Sequence, residues 1–334
     1  MPTAERPHQV RSCTGCGATV EFGRDGLSTR CPYCCSSLVD AERGAAGVDA
    51  VVPFRVPSRG ALDQLRAHVA RGSWAGFWAP KWVGELIERG PMREDGRGPH
   101  GGLRGVLVPF WVYEGVVRSD YHARVGVDWT RELTRKNKDG ESETKEIRET
   151  EWFRLTGSAV NQIEDHLVCA SVGLPKAEAQ GLGSYDLGWA VDFDPRLLSG
   201  FEAELPSIGE RRGDAEARAE MREAEAKRIV DELLPGDHNR LSTIQTAVEL
   251  HGRRLVLLPV WIASYRQDAS EVLRLVVNGQ TGQVGGRVPV DWRKVAVAVT
   301  IVALLAGLIA LVGWWQGWWP EPDGLAQLAR GGTA

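Results

Sequence analysis

The sequence lacks the short motifs that mark the common enzyme classes. It contains no Gly-x-Ser-x-Gly nucleophile turn, no His-Glu-x-x-His metal motif, no P-loop and no Rossmann strand–glycine turn–helix fingerprint. Its seven histidines are dispersed, and none stands at the spacing of a ligand or nucleophile motif. We therefore expect a protein that is not an enzyme, with an unrecognised enzyme in the body of the chain as an alternative.

The sequence also lacks an excess of positive charge. The 334 residues include 40 Lys and Arg against 44 Asp and Glu, a formal net charge of -4. This balance gives no general reason to expect nucleic acid as the partner. Hydrophobic content of 43% and charged content of 25% are ordinary for globular protein, and the length allows two or three compact units.

Cysteine is scarce outside one short segment. Five of the six cysteines lie between Cys13 and Cys35, and Cys169 stands alone. Residues 1–11 contain no apolar core of the kind found in secretory signals. Paired Cys-x2-Cys steps in this setting predict metal ligands in a reducing compartment, and they argue against a disulfide framework.

The paired steps are Cys13-x2-Cys16 and Cys31-x2-Cys34. Each brings two thiolates to one side of a turn, and the alternating segment between them contains the hairpin signal Asp-Gly at 25–26. We expect an all-β zinc ribbon whose four sulfur ligands leave no open position, so that the Zn²⁺ is structural and supplies much of the folding free energy. Cys35 follows Cys34 directly and is either a spare thiol or a competing fourth ligand.

The charges around this predicted ribbon are balanced. Four arginines (Arg6, Arg11, Arg24 and Arg30) face four acids (Glu5, Glu21, Asp25 and Asp40). Such a surface lacks the electrostatic contribution that dominates nucleic-acid affinity. A protein-contact or stabilising module is therefore the favoured interpretation, and a membrane-tethered nucleic-acid-binding regulator that uses the ribbon is the alternative.

The opposite end of the chain has an unbroken uncharged apolar run at 295–315. It has about the ~20 residues needed to cross a bilayer as a helix, and tryptophans flank it at Trp292 and at 314–319. Arg293 and Lys294 precede the run, whereas acids dominate after it. The positive-inside rule predicts a single-pass, C-terminal anchor in the inner membrane with the N-terminal body in the cytoplasm.

Between these ends the sequence predicts an α+β body. A strand at 51–54 precedes a helix that Ser58 could cap and that carries Leu65 and Val69 on its apolar face. The aromatic stretch that follows (Trp74, Phe77, Trp78 and Trp82) is either core or a ligand groove, and core packing is favoured. A helix is predicted at 213–234 that docks only through its final turns, and a glycine-rich turn at 278–282.

An internal repeat is visible in the body. The segments 106–113 and 256–263 share an apolar-Pro-x-Trp core, and each precedes a further apolar strand, at 121–127 and 271–277. They predict two related β-rich units. The first continues into a charged hairpin arm at 133–150 that turns at Asp-Gly, 139–140. His166 near Cys169 leaves a weak catalytic alternative.

The expected organisation is therefore multi-domain. It comprises a zinc ribbon at 1–45, a first β-rich α+β unit with the charged arm at 46–212, a helix and second β-rich unit at 213–290, a transmembrane helix with flanking anchors at 291–319, and a short extracytoplasmic tail at 320–334.

The order of these motifs resembles a known family. The following motifs occur in this order along the chain: the double Cys-x2-Cys ribbon, Val-Val-Pro-Phe at 51–54, Phe-Trp-Ala-Pro-Lys at 77–81, Val-Pro-Phe-Trp-Val-Tyr at 108–113, Leu-Leu-Pro-Val-Trp at 257–261, Asn-Gly-Gln-Thr-Gly at 278–282 and the C-terminal span. They resemble the bacterial membrane proteins labelled TFIIB-type zinc ribbon-containing proteins, some of which are labelled primosomal or helicase-like. The resemblance implies zinc on Cys13, Cys16, Cys31 and Cys34, no catalytic residue, and membrane-associated partners of the SPFH (flotillin-like) or phage-shock type. Cys35 departs from the family's glycine.

Together these observations predict a membrane-anchored zinc-ribbon adaptor or scaffold. It would present a cytoplasmic body to protein partners at the inner membrane, with the lipid bilayer itself as the other partner. Confinement at a membrane raises the effective concentration of weakly bound partners without any new contact.

Overall fold

The computed structural model describes residues 9–23, 25–34, 36–45, 47–70, 77–89, 103–136, 142–266 and 272–316. Its strands, in chain order, are β1 (Gln9–Ser12), β2 (Thr19–Phe22), β3 (Gly26–Arg30), β4 (Ser37–Val39), β5 (Ala50–Val51), β6 (Leu103–Lys136), β7 (Ser142–Cys169), β8 (Val191–Asp192), β9 (Glu202–Glu204), β10 (His238–Arg266), β11 (Val272–Asn278) and β12 (Val284–Gly286). Its α-helices are α1 (Ala41–Ala45), α2 (Ser58–Val69), α3 (Lys81–Arg89), α4 (Lys176–Gly181), α5 (Glu210–Arg228) and α6 (Trp292–Trp315). The body is a mixed α/β structure with one large sheet, and α6 is a single apolar helix at its C-terminal end.

Three long antiparallel strands, β7, β6 and β10, form the centre of the sheet. The two repeated segments lie opposite each other in β6 and β10, with Val106 paired to Val260 and Val108 to Leu258. The structure therefore places the predicted two β-rich units in one continuous sheet. The strand predicted separately at 121–127 is a continuation of β6.

The prolines of the repeat occupy matching positions in that sheet. Along the outer edge of β6, pairing with β7 ends at Phe110 and pairing with β9 begins at Leu107, so Pro109 lies between two neighbouring strands. Pro259 likewise lies between the β5 and β11 pairings of β10. Because proline lacks an N–H, it is tolerated where no ladder bond is required. Two prolines can therefore sit in central strands.

Helix α5 packs across β6, β7 and β10. Its buried residues include Gly213, Ala217 and Met221, which lie against the core of the sheet. A side chain at Gly213 would approach the Tyr113 hydroxyl to 2.6 Å, so glycine permits the close contact of helix and sheet. The prediction that only the final turns dock was wrong, because small residues allow α5 to bury its face along its length.

One buried charge joins α5 to the sheet. The side chain of Glu225 is fully buried and accepts a hydrogen bond from Asn161 Nδ2 at 3.0 Å. Arg228 donates to both of its oxygens, from Nε at 2.9 Å and Nη2 at 2.7 Å. A buried carboxylate needs such partners because desolvation of an isolated charge is costly.

Beyond the end of β10, strands β6 and β7 continue alone as a hairpin arm. Pairing between β10 and β6 stops at Gly126, whereas β6 and β7 remain paired to Lys136 and Ser142. The predicted charged arm is thus present, and its predicted turn at 139–140 lies outside the described residues. Three large apolar side chains of the arm, and Phe153 at its base, are 40–49% exposed on the face that α5 covers elsewhere, and we call these four the arm strip: Val127, Trp129, Leu133 and Phe153.

Asp128 ties the base of this arm together. Its carboxylate accepts hydrogen bonds from Thr150 Oγ1 at 2.6 Å and Arg148 Nη2 at 2.7 Å, and His238 Nε2 lies at 3.2 Å. The Thr150 hydrogen bond, followed by the charges of Arg148 and His238, lowers the pKa of Asp128 below its ordinary value. The carboxylate is therefore held in its charged form.

The N-terminal helices of the body pack at the other end of the long strands. Ala61, Leu65 and Val69 of α2 are buried in one cluster with residues of α3 and Leu103 of β6. Pro57 occupies the N-cap position of α2 instead of the predicted Ser58. In the aromatic stretch, Trp82 packs on this core, Phe77 is 57% exposed, and Trp74 lies outside the described residues.

Candidate metal centre and membrane segment

The structure brings together the four cysteines of the predicted site. The sulfur atoms of Cys13, Cys16, Cys31 and Cys34 all lie within 4.8 Å of one another. Cys13 Sγ is 3.5 Å from Cys34 Sγ, and Cys16 Sγ is 3.6 Å from Cys31 Sγ. Such a four-sulfur group can hold a metal ion. Cys35, the predicted competitor, lies outside the described residues.

Each Cys-x2-Cys step is the turn of its own short hairpin. The first lies between β1 and β2 and the second between β3 and β4, with Cys13 N donating to Ala18 O and Cys31 N to Ser36 O. The segment predicted as one hairpin between the steps instead supplies β2 to the first hairpin and β3 to the second. Strand β3 also pairs with β9, so the second step is continuous with the large sheet.

Two glycines shape the first turn. Gly17 has φ of 74°, a left-handed conformation that glycine adopts without strain. A Cβ at Gly15 would meet Ser36 Oγ at 3.0 Å and Cys34 Sγ at 3.5 Å. The absence of a side chain at Gly15 therefore lets the two turns approach closely.

The four thiols perturb one another. Ser36 Oγ lies 3.1 Å from Cys13 Sγ and 3.0 Å from Cys34 Sγ, and its hydrogen bonds lower the pKa of Cys13 to about 6 and also lower the pKa of Cys34. The Ala18 backbone lowers the pKa of Cys16, but crowding by the other thiols outweighs it and raises that pKa to about 12. Thiols this close cannot all ionise unaided, and a bound cation favours their thiolate forms. The donor set therefore fits a thiolate-binding metal ion.

Surrounding contacts hold the site in place, and sequence reasoning missed them. Arg11 Nη2 donates to the buried Asp40 at 3.0 Å and to Glu42 at 3.3 Å. Arg30 donates to Gly200 O at 2.9 Å. Ser36, which contacts Cys13 and Cys34, and Asp40, which pairs with Arg11, belong to no spacing motif, so only the folded chain shows these contacts.

The second predicted feature is the apolar helix. The segment Trp292–Gly313 of α6, 22 residues, is long and apolar enough to cross a membrane, and none of its most apolar stretch is buried against the rest of the protein. Its N-terminal end is fixed to the body, because Lys294 Nζ donates to Phe77 O at 3.0 Å and Ala79 O at 2.6 Å. Of the predicted tryptophan anchors, Trp292 and Trp315 are 76% and 84% exposed, and those at 318 and 319 lie outside the described residues.

The weak catalytic alternative involved Cys169 and His166, which the structure places on opposite faces of β7. Cys169 lies opposite Phe110 and His166 opposite Tyr113, and residues three apart in a strand point to opposite sides. His166 Nε2 is 3.0 Å from Glu220. Cys169 and Glu220 both line a cavity of about 480 Å³, but His166 is not among its lining residues. Burial raises the pKa of Cys169 to about 11, so the reactive thiolate is disfavoured.

The chain was compared with protein families, with curated proteins and with solved structures. No family model matches the chain, and no solved structure matches it. The chain is similar to a protein of Bacillus subtilis (strain 168) named "Uncharacterized protein YdjG", with 24% identity over 264 residues that cover 78% of this chain and 69% of that protein. The name of that protein describes no activity.

Proposed function

We propose that this chain is a non-enzymatic, membrane-anchored adaptor. Its four-cysteine site holds a structural Zn²⁺, α6 crosses the inner membrane once, and the body faces the cytoplasm, where it contacts protein partners. The observation that carries the proposal is the exposed apolar helix α6 joined by specific contacts to a folded polar body. A protein built this way has a fixed location and a large surface available for partners.

Zinc is supported by the sulfur geometry. With Zn–S bonds of about 2.3 Å, a tetrahedral site has sulfur atoms about 3.8 Å apart, close to the 3.5 and 3.6 Å separations of the two cross-turn pairs. Four protein ligands fill a tetrahedral zinc site, so no position is left for water or substrate. The metal would link the β1–β2 hairpin to the β3–β4 hairpin and would take no part in catalysis.

The orientation follows from charge. Arg293 and Lys294 lie in the first turn of α6, on the side of the body. Basic residues flanking a span are retained in the cytoplasm, which is also the compartment that keeps zinc thiolates reduced.

Protein partners are supported by the arm strip. Its exposed side chains continue the face on which α5 packs, and exposed apolar groups of this kind are typical of interaction surfaces. Partners of the SPFH or phage-shock type are the class that the family resemblance implies. The nucleic-acid alternative has less support, because Arg11 is paired with acids and Arg30 with a backbone carbonyl.

The proposal is tested by crosslinking the full chain in its native membrane and recovering it in mild detergent. Cys31→Ser removes a metal ligand, and Cys169→Ser is a matched control at a cysteine outside the site. We expect defined membrane-protein partners with the unaltered chain and with Cys169→Ser, and their loss with Cys31→Ser. Recovery of nucleic acid, or of the same background proteins from all three, would contradict the adaptor.

A further inference from the structure

A cavity of about 410 Å³ opens where α6 leaves the body. Its walls come from the end of α2, the start of α3 and the first turn of α6. Among the described residues that line it, three are basic (Arg66, Lys81 and Lys294) and one is acidic (Glu85). The cavity thus has a net positive lining in a chain whose overall charge is negative.

The basic groups are available to a ligand. Within the described part of the chain Lys81 has no acidic partner. Arg66 pairs with Asp63 at 3.3 Å, but both side chains are more than half exposed. Because an exposed ion pair contributes little free energy, Arg66 can leave Asp63 for another anion at little cost. Lys294 uses two of its three N–H donors on Phe77 O and Ala79 O. One donor remains, and all three cations line the same cavity.

The inner wall of the cavity is apolar. Val69, Ala79 and Ile87 line it and are at most 7% exposed. A purely ionic ligand gains nothing from such a wall, whereas a ligand with a phosphate beside a hydrocarbon part can use both. The lining therefore favours an amphipathic phosphate.

The position of the cavity suggests the source of that phosphate. Lys294 directly precedes the apolar run of α6, so it lies at headgroup level if α6 crosses the bilayer. Two strongly exposed aromatic side chains, Phe77 and Trp292, belong to the same junction, as interfacial aromatics do. Basic pockets on the cytoplasmic side of a span are typical binding sites for anionic lipid headgroups.

We propose that this cavity binds the phosphate headgroup of an anionic phospholipid, with Lys81 and Arg66 as its principal contacts and Lys294 as the third. The inference rests on the proposed function in one respect, that α6 crosses the membrane. The bound lipid would join α2, α3 and α6 across the junction and fix the body relative to the bilayer.

The test uses the full chain in neutral detergent and native mass spectrometry to count retained lipids. Phosphatidylglycerol, phosphatidylcholine and inorganic phosphate are added separately to the unaltered chain, to Arg66→Gln/Lys81→Gln, and to Arg154→Gln, which removes an exposed cation from β7. We expect one phosphatidylglycerol to be retained in preference to phosphatidylcholine. Its affinity should fall about fivefold for each cation removed, roughly 30-fold in the double variant, and Arg154→Gln should leave it unchanged.

Equal retention of the two lipids, or unchanged affinity in the double variant, would overturn the proposal. Inorganic phosphate that binds the cavity as tightly as the lipid would also overturn it, since the source would then be free phosphate. Thermal melts of all three proteins establish that the substitutions leave the fold intact. Carbonate extraction of membranes that contain the unaltered chain tests the anchor separately. If the protein stays in the membrane but shows no lipid preference, the lipid site is disproved and the membrane anchor is not.

Discussion

The membrane anchor can be tested by placing charge at the centre of α6. The helix contains five valines, two isoleucines and four leucines. At roughly 0.3–0.6 kcal/mol each, these eleven residues favour insertion by roughly 3–7 kcal/mol. A central arginine costs about 2.5–3.5 kcal/mol, and each Leu→Arg change also forfeits the contribution of leucine. Leu308→Arg alone should therefore bring insertion near balance, and Leu304→Arg with Leu308→Arg, at a combined cost of roughly 6–8 kcal/mol, should abolish it.

The measurement is the fraction of protein that stays with membranes after carbonate washing. We expect nearly complete retention of the unaltered chain, partial loss for Leu308→Arg, and recovery of the double variant in the soluble fraction. Ser158→Arg with Val160→Arg adds the same charge at exposed positions of β7 and should change nothing. If the Leu304→Arg/Leu308→Arg protein resists extraction while folded, α6 does not anchor the chain and the reasoning fails.

Three further outcomes are expected. Arg228→Ala should lower the free energy of unfolding by about 3–5 kcal/mol, because it leaves the buried Glu225 carboxylate without its charge partner. Adding Glu225→Gln to that variant should recover part of the loss. A denaturant titration measures both effects, and a loss below about 1 kcal/mol for Arg228→Ala would contradict the role of this ion pair. Elemental analysis should find one metal equivalent in the unaltered chain and in Cys169→Ser but none in Cys31→Ser, and full loading of the latter would refute the four-ligand site. Since the folded pKa of Asp128 is lowered, its stabilisation is present above the unfolded pKa of about 3.9 and is lost as pH falls through the folded value. Melting temperatures followed from pH 6 to 3 should show this loss, and Asp128→Asn should remove that part of the dependence; an identical pH profile in the variant would count against it.

Local signals in the sequence predicted the features that depend on local structure. The Cys-x2-Cys spacing predicted the group of four sulfur atoms, apolar residues on one face predicted α2, and an unbroken apolar run predicted α6. The arm was predicted from a segment dense in charged residues around an Asp-Gly turn. Each of these elements is specified by residues close together in the chain, so its pattern can be read without a partner.

Local sequence patterns did not predict the features that depend on residues far apart in the chain. Pro109 and Pro259 look like edge-strand residues in isolation, and only the positions of β5, β7, β9 and β11 show why they can lie in central strands. The small residues of α5 predict a solvated helix until the sheet that receives them is known. The basic cavity joins the neighbouring helices α2 and α3 to the distant helix α6, and no single segment predicts it.

Strand β6 runs without a break from the end near α2 and α3 to the arm. At ~3.3 Å per residue, its 34 residues extend up to about 110 Å. The cluster of α2 and α3 lies at the Leu103 end, and contacts of Phe77 and Ala79 with Lys294 attach that end to α6. A tilt of about 10° at this junction would swing the far end of the strand through about 19 Å by its length alone. Changes of an ångström or two beside the helix would thus become displacements at the arm large enough to decide whether a neighbouring protein is within reach.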